Sequence, residues 1–380
     1  MDHALQVELA RAILAHLDAG TTARADAVAI NPVESYTSPR RLEREQALLF
    51  GRYPLLMGLS CQLAAPRAYL TDDHAGRPLL IVRGADGAVR AFLNVCRHRG
   101  ARVAERAGTV RRGFSCPYHG WTYDTEGRLV GIPDAASFTG VEKAAHGLVP
   151  LPALERDGMI WVSPGAREID LEGHLAGLGP ELASYRLADY HHYETRVLRQ
   201  RMNWKLVIDT FLEPYHFPVL HRDTVAPIFF PNLCLFHPFG PNLRETLPRQ
   251  SIVELRGRPE SEWDLVEHSA IVYVLFPNTV FVMQGDHVET WRVYPANGRV
   301  DECVMYLDFY TPEPAESDSA RRHWDRNMDL AVRTVVEEDF PTGEGIQAGF
   351  AAGAQDHVTY GRNEPALAHY ERMVAAAVAG

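Results

Sequence analysis

Cys96-Arg-His98 and Cys116-Pro-Tyr-His-Gly-Trp-Thr-Tyr-Asp-Thr-Glu-Gly127 form two related runs, with seventeen residues between His98 and Cys116. Each places a thiol and an imidazole just ahead of a glycine, Gly100 or Gly120. Two thiolates with two imidazoles suit either tetrahedral zinc or a [2Fe–2S] cluster of mixed ligation. Four unrelated residues is a poor reading, because Cys-x-His and Cys-x-x-His recur at two expected strand ends. From about Leu55 to Pro164 the texture is short strands between turns. Pro78–Arg83 and Val89–Leu93 flank Ala85-Asp86-Gly87, a hairpin signal. Gly120–Tyr123 and Arg128–Val130 flank Asp124–Gly127, a second one. Met159–Val162 closes the block before Ser163-Pro164-Gly165, so this part is expected to be a small all-β domain.

The run Cys116–Gly127 closely resembles the second half of the Rieske iron–sulfur motif, and Cys96-Arg-His-Arg-Gly-Ala101 resembles the first. The resemblance implies a [2Fe–2S] cluster with His98 and His119 on one iron and Cys96 and Cys116 on the other. Imidazole donates less charge than thiolate, which raises the potential above that of four-cysteine clusters. The respiratory-complex branch carries a further cysteine pair that forms a disulfide beside the cluster; no such cysteines occur here. The resemblance is therefore to the oxygenase or ferredoxin-like branch. Cys61, Cys234 and Cys303 are expected to be small buried hydrophobes.

A second dense patch is Glu213-Pro-Tyr-His216-Phe-Pro-Val-Leu-His221. On a regular helix Glu213 and His216 share a face. His216 and His221 are about 140° apart around a 3.6-residue helix and would not converge. Pro214 and Pro218 interrupt the ladder, and a broken helix can bring both imidazoles to one ion. Two histidines and one carboxylate on one face leave positions open for dioxygen. A long helix expected from about Ser319 to Phe340 offers the carboxylate. Met328, Val332, Val335 and Val336 mark its apolar stripe, with Asp339 at the centre of that stripe by angle and Glu337 and Glu338 well away from it. A carboxylate on a buried face needs a partner, and a metal is one.

This half resembles the catalytic domain of Rieske non-haem iron oxygenase large (alpha) subunits, including the Asn203-Trp204-Lys205 lead-in, Glu338-Asp339, Gln347 and Gly361-Arg-Asn-Glu364. The resemblance implies mononuclear Fe(II) on His216, His221 and Asp339. It also implies a homotrimer in which the carboxylate three residues before His216 links a cluster histidine of one subunit, here His119, to His216 of its neighbour. That carboxylate is usually Asp in ring-hydroxylating dioxygenases. Here it is Glu213, as in the branch with carnitine and glycine-betaine monooxygenases. Asp209, one helical turn earlier, is a further catalytic candidate, equally readable as an ordinary polar helix residue.

The 380 residues suggest about two or three domains. With 46% hydrophobic and 23% charged residues, disorder and disulfide-dense scaffolds are excluded. A net charge of −11 with no strongly basic window argues against nucleic acid. The N-terminal residues Leu5, Leu9, Ile13, Leu14 and Leu17 step by three or four as in an amphipathic helix, not a signal peptide. Ser269 to Gly285, the longest uncharged run, is broken by Pro277-Asn278 and reads as two strands rather than a membrane span. No membrane association is expected, and five cysteines without a framework suit a cytoplasmic protein.

The expected class is α+β: a small all-β [2Fe–2S] domain at 46–165 and an α+β catalytic domain at 166–380. The latter should have a central antiparallel sheet and flanking helices, with the helical segment 1–45 packed on it. Asn31-Pro32 and Ser38-Pro39 read as loop, His192 to Leu198 as a strand, Asn203 to Leu212 as a helix, and Ser251 to Tyr310 as β-rich. Gly343–Gly349 has the wrong spacing and setting for a dinucleotide loop. His191, His192 and His237 read as ordinary residues, and Phe229-Phe230 and Trp263 as core rather than pocket.

The function so implied is the terminal oxygenase of a multicomponent system, taking electrons from a separate NAD(P)H-dependent reductase, with or without a ferredoxin. It would use dioxygen to hydroxylate an aromatic or related small organic substrate, as in aromatic hydrocarbon catabolism. The alternative within the same chemistry is a monooxygenase of a quaternary amine. The alternative from another class is a Rieske electron carrier with a degenerate catalytic half; the His-His-Asp set argues against it.

Overall fold

The computed structural model describes residues 1–165 and 167–379. The chain forms two compact units, one of Met1–Glu45, Glu172–Arg186 and Tyr190–Gly380, the other of Gln46–Leu171 and Leu187–Asp189. The second boundary thus falls at Leu171, a little beyond the turn at Ser163-Pro164-Gly165.

The smaller unit is all-β apart from short turns of helix. Its five-stranded antiparallel sheet runs in the order Pro150–Leu151, Val89–Leu93, Leu79–Arg83, Ala68–Asp72, Gly108–Thr109. A three-stranded sheet joins Ala153–Arg156, Met159–Val162 and Leu55–Leu59. The third, Phe114–Ser115, Thr122–Tyr123 and Leu129–Gly131, carries half of the cysteine–histidine set. The turn between its last two strands is set by Asp124, whose Oδ1 accepts from the backbone N–H of Glu126 and Arg128, both at 2.9 Å. Gly127 takes φ +80°, where a side chain would be strained.

The larger unit is built on a seven-stranded antiparallel sheet in the order His191–Gln200, Cys303–Thr311, Val288–Pro295, Thr279–Met283, Ser269–Leu275, Asn242–Pro248, Leu235–Phe239. The central strands are buried on both faces, which explains the long apolar runs of β-branched and aromatic residues. The sheet begins earlier than the β-rich stretch read from Ser251: the strands Leu235–Phe239 and Asn242–Pro248 precede it, and Gln250–Gly257 is 3-10 helix.

The N-terminal helix His3–Ala19 starts at Asp2, whose side chain caps Ala4 N–H. It buries Leu9, Ala10, Ile13 and Leu14 against Leu233, Leu235, Ile252, Leu255, Trp263 and Leu265. Trp263 therefore belongs to this core. The first forty residues are not all helix and loop: Ala29–Pro32, around Asn31-Pro32, is a strand paired antiparallel with His357–Tyr360. Pro32 is tolerated because this two-stranded ribbon leaves edges open. The helix after Asn203 is also shorter than its periodicity suggests, Trp204–Asp209.

The long C-terminal helix differs most from its reading. Asp318–Thr334 is α-helical, Val335–Asp339 forms a π turn, and the helix resumes over Phe340–Ala351. The wider turn holds one residue more than an α turn and shifts the face that follows. Val336, placed on the apolar stripe by 3.6-residue periodicity, is 37% exposed, while Val335 and Asp339 are buried. No described helix is long and apolar enough to cross a membrane.

Candidate metal centres and the adjoining cavity

In the smaller unit the two cysteine–histidine loops have the same backbone design. Cys96 N–H donates to Ala101 O at 2.7 Å and Gly100 N–H to Cys96 O at 3.0 Å. Cys116 N–H donates to Trp121 O at 2.8 Å and Gly120 N–H to Cys116 O at 2.9 Å. Both loops close through a glycine at positive φ, +82° and +71°. The result points both thiols inward and both imidazoles to the rim: Cys96 and Cys116 are buried, His119 is exposed and His98 half-buried.

The His98 and His119 ring centroids lie 4.7 Å apart. His98 stacks on Trp121 at 4.9 Å, and its Nδ1 is buried with no hydrogen-bond partner. Tyr123 places its hydroxyl 3.3 Å from Cys96 Sγ and accepts from Arg97 N–H at 2.9 Å. An orphaned ring nitrogen beside two buried thiols fits a mixed-ligand cluster, with Tyr123 as a polar contact to one sulfur.

In the larger unit the broken helix between Glu213 and His221 is a single turn, Phe217–Leu220, with Pro218 at its start and His216 just before it. The Glu213 carboxylate ties this turn down by accepting from the backbone N–H of Tyr215 and of His216, the latter at 3.0 Å. The same carboxylate lies 2.5 Å from Nδ1 of His216. Across the site, Nδ1 of His221 donates to Glu338, whose Oε2 also accepts from the Thr224 hydroxyl at 2.7 Å. Glu338 was expected to point away from the site; the π turn instead brings both Glu338 and Asp339 to it.

With each Nδ1 proton held by a carboxylate, each Nε2 presents a lone pair. Those two Nε2 atoms face Asp339 Oδ1, at 3.6 Å from His216 and 3.2 Å from His221. Asp339 is 5% exposed, and its Oδ1 has no hydrogen-bond partner. One donor atom from each of the three residues lies within 4.8 Å of the others. Three acceptors converging with no donor between them are electrostatically unfavourable until a cation sits among them. The donor set, two imidazoles and one carboxylate, suits Fe(II) with positions left open.

These residues line a cavity of about 580 Å³. Its walls are mostly apolar, with Phe211, Phe217, Phe229, Trp291, Val272, Val282 and Leu330 prominent. Phe229 is thus a cavity residue as well as a packing one. The polar lining includes Arg249, Gln284, Asn327 and Glu289. Glu289 accepts from Trp291 Nε1 at 2.9 Å and lies 3.2 Å from Nε2 of His287, whose Nδ1 is 2.7 Å from Asp286. Burial works to lower the His287 pKa, but the hydrogen bonds to Asp286 and Glu289 outweigh it and hold the ring above its usual value.

Asp209 is not among the cavity residues. It sits in a buried polar cluster where the Tyr36 hydroxyl donates to its Oδ2 at 2.7 Å. Tyr36 and Tyr360 hydroxyls are 2.8 Å apart, and Asn31 donates to Glu371 at 2.9 Å. Burial, reinforced by the Glu371 charge, pushes the Asp209 carboxyl well above the ordinary carboxylate range. Lys205 Nζ, fully buried, donates to Glu45 at 2.8 Å and to Asn203 at 3.1 Å, while Trp204 Nε1 donates to the other Glu45 oxygen. The Asn-Trp-Lys lead-in is therefore a buried anchor for the helix Trp204–Asp209, with Asn203 also capping Lys205 N–H at 3.0 Å.

Residues 187–380 match the family model for the ring hydroxylating alpha subunit (catalytic domain), and residues 54–150 match that for the Rieske [2Fe-2S] domain. The glycine betaine monooxygenase oxygenase subunit of Chromohalobacter salexigens is 34% identical over 194 residues, covering 50% of this chain and 43% of that protein. The biphenyl 2,3-dioxygenase subunit alpha of Rhodococcus jostii is 29% identical over 277 residues, 70% and 57% of the two chains. The chain spans about half the length of the curated relatives it matches. The crystal structure of the quaternary ammonium Rieske monooxygenase CntA with L-carnitine superposes with TM-score 0.77 at 20% identity, covering 91% of this chain and 94% of that one. Naphthalene 1,2-dioxygenase from Rhodococcus sp. gives 0.73 at 18% identity, with 97% and 98% covered.

Proposed function

Since the chain belongs to the ring hydroxylating alpha subunit family and carries a Rieske [2Fe-2S] domain, we propose that it is the terminal oxygenase of a multicomponent oxygenase system. The observation that carries this reading is the acceptor-only convergence of His216, His221 and Asp339 on the wall of an apolar cavity. Iron held there would activate dioxygen with electrons delivered through the cluster bound by Cys96, His98, Cys116 and His119. The protein's own contribution is positional. Glu213 and Glu338 fix the two imidazoles through their Nδ1 protons, so both rings keep the orientation and tautomer that ligation needs. The aromatic walls exclude water and hold an apolar substrate beside the open face of the site.

Electrons would come from a separate reductase, with or without a ferredoxin. We place the working unit in a homotrimer, with Glu213 linking His216 to His119 of the neighbouring subunit. Exposed apolar side chains beside each partner support that arrangement: Tyr215 and Val219 are 61% and 85% exposed next to His216, and Tyr118 is 56% exposed next to His119.

Among substrates, a specific observation favours monooxygenation of a quaternary amine over dihydroxylation of a ring. Relatives at 30–34% identity include the glycine betaine and carnitine monooxygenase oxygenase subunits, and Glu213 matches the glutamate of that branch. The test is a single turnover of chemically reduced protein with labelled dioxygen and a pool of aromatic acids and quaternary amines. One labelled oxygen in the product establishes a monooxygenase, and its appearance on a quaternary amine, or loss of an N-alkyl group, supports the amine reading. Two labelled oxygens on a ring support the aromatic one and overturn the amine reading.

A further inference from the structure

We propose that Arg249 anchors a carboxylate on the substrate, so that the cavity takes small organic acids whose apolar remainder lies against Phe211, Phe217 and Trp291. The proposal rests on the oxygenase reading for the chemistry at the metal, but the anchor itself is a matter of binding. Arg249 follows the strand Asn242–Pro248 and is fixed by its backbone N–H to His268 O at 2.9 Å. Its side chain lines the same cavity as His216, His221 and Asp339. One guanidinium nitrogen, Nη2, donates to Gln284 Oε1 at 2.9 Å. The Phe229 ring covers the group, with its centroid 5.5 Å from Cζ. Nε is buried and has no hydrogen-bond partner.

No carboxylate forms an ion pair with Arg249 among the described residues, and the cavity's acids are committed elsewhere. Glu289 is engaged by Trp291 and His287. Asp286 is 2.7 Å from both His287 and His323. Asp339 faces the imidazoles, and Glu267 is exposed. A half-buried guanidinium with an unused donor and no carboxylate bonded to it, feeling the Asp286 charge only at a distance, is costly to maintain. It matches a planar carboxylate, which accepts two parallel N–H bonds from such a fork. Burial lowers the Arg249 pKa from its usual value, and the Asp286 charge offsets that only in part. Gln284 and Phe229 act as its positioning residues, fixing the plane of the fork.

The two branches of the family reading are both compatible with such an anchor, because a betaine and an aromatic acid share the carboxylate. Binding of glycine betaine, choline, benzoate and benzyl alcohol to the anaerobic, iron-loaded protein by calorimetry tests it. Each acid differs from its alcohol partner only at the group in question. At least one acid should bind, with its alcohol weaker by about 10- to 100-fold, the range for hydrogen bonds to charged groups. Arg249→Gln should erase that difference with iron content and melting midpoint unchanged, and Arg249→Lys should keep part of it. Should Arg249→Gln fail to fold, the acid–alcohol contrast in the unsubstituted and Arg249→Lys proteins still decides. Alcohols binding as tightly as acids, an unchanged contrast in Arg249→Gln, or no binding of either acid would overturn the anchor. Arg249-dependent binding without oxygen insertion in the single-turnover assay would instead count against the oxygenase reading alone.

Discussion

Glu338 holds His221 at Nδ1, the ring nitrogen opposite the one that faces Asp339. Two consecutive residues of one helix thus act on the two sides of the same imidazole, and only the π turn at Val335–Asp339 allows it. Loss of such a supporting carboxylate typically costs 10- to 100-fold in metal affinity. Glu338→Ala is expected to weaken Fe(II) or Co(II) binding to the apo site by about that factor, with Glu338→Gln partly restoring it. The visible spectrum of the iron–sulfur cluster should not change. Metal titration monitored by competition with a chelator checks this, and an unchanged affinity would refute the role of Glu338.

Asp339→Ala removes the carboxylate that, alone among the described residues, faces both Nε2 atoms. Turnover should fall to background and iron should drop from near three to near two per chain, while the cluster spectrum stays intact. Elemental analysis alongside visible absorption separates the outcomes. A lost cluster signal would mean that the substitution disturbs far more than one site.

The broad architecture was legible because each unit writes a distinct texture into the chain. Short strands around the turns Ala85-Asp86-Gly87 and Asp124–Gly127 announced the all-β part, and the apolar run from Ser269, broken by Pro277-Asn278, announced strands of the large sheet. The candidate ligands could be chosen from residue chemistry: two prolines near His216 and His221 signalled a broken helix, and a carboxylate on an apolar stripe asked for a partner. Glu338 was not legible. A 100° step per residue carries no information about a π turn, which is why Val336, read as buried, is exposed and Glu338, read as pointing away, reaches His221. Arg249 was missed for a different reason. It is one arginine among many, and only its burial without a carboxylate, a tertiary property, sets it apart. The strand at Ala29–Pro32 was hidden by Pro32 and by a partner more than three hundred residues away.

Lys205 and Glu45 are fully buried and bonded to each other, in a cluster that also contains Glu371. Removing the cation leaves Glu45, among the described residues, with only Arg41, whose Nε lies 3.1 Å away, as its charged partner; breaking a buried pair typically costs about 3–5 kcal/mol, an upper bound here. Lys205→Met should therefore lower the calorimetric midpoint of the larger unit sharply. The double variant Lys205→Met/Glu45→Gln should recover part of that loss, and a single variant as stable as the parent would show that the pair contributes nothing.

Glu213 shares its carboxylate between the turn before His216 and the Nδ1 of His216. In the proposed trimer it also completes the route from His119 of the neighbour. Glu213→Gln keeps the shape but removes the charge, so both metal sites should still fill while electron transfer from reduced cluster to mononuclear iron slows at least tenfold, about 1.4 kcal/mol in the barrier. Rapid-mixing oxidation of the reduced cluster in the presence of substrate reads this directly. Wild-type kinetics with both metals bound would remove Glu213 from the route.

Glu245 lies on the strand Asn242–Pro248 beside Cys234, with its side chain entirely buried. Burial pushes its carboxyl from the ordinary 4.5 up to about 8, opposed by the Cys234 thiol and reinforced by the Glu213 charge. Between those two values the folded protein keeps a proton that the unfolded chain releases, so this residue's contribution favours folding below about pH 4.5 and is lost as pH rises toward 8. The loss is on the order of 4 kcal/mol over that window. Glu245→Gln presents a neutral group at every pH, so its stability relative to the parent should climb from pH 5.5 to about pH 8 and level off between there and pH 9. Paired melting curves across that range isolate the effect from all other titrating groups, and a stability difference that stays flat with pH would mean that Glu245 is ionised in the folded protein.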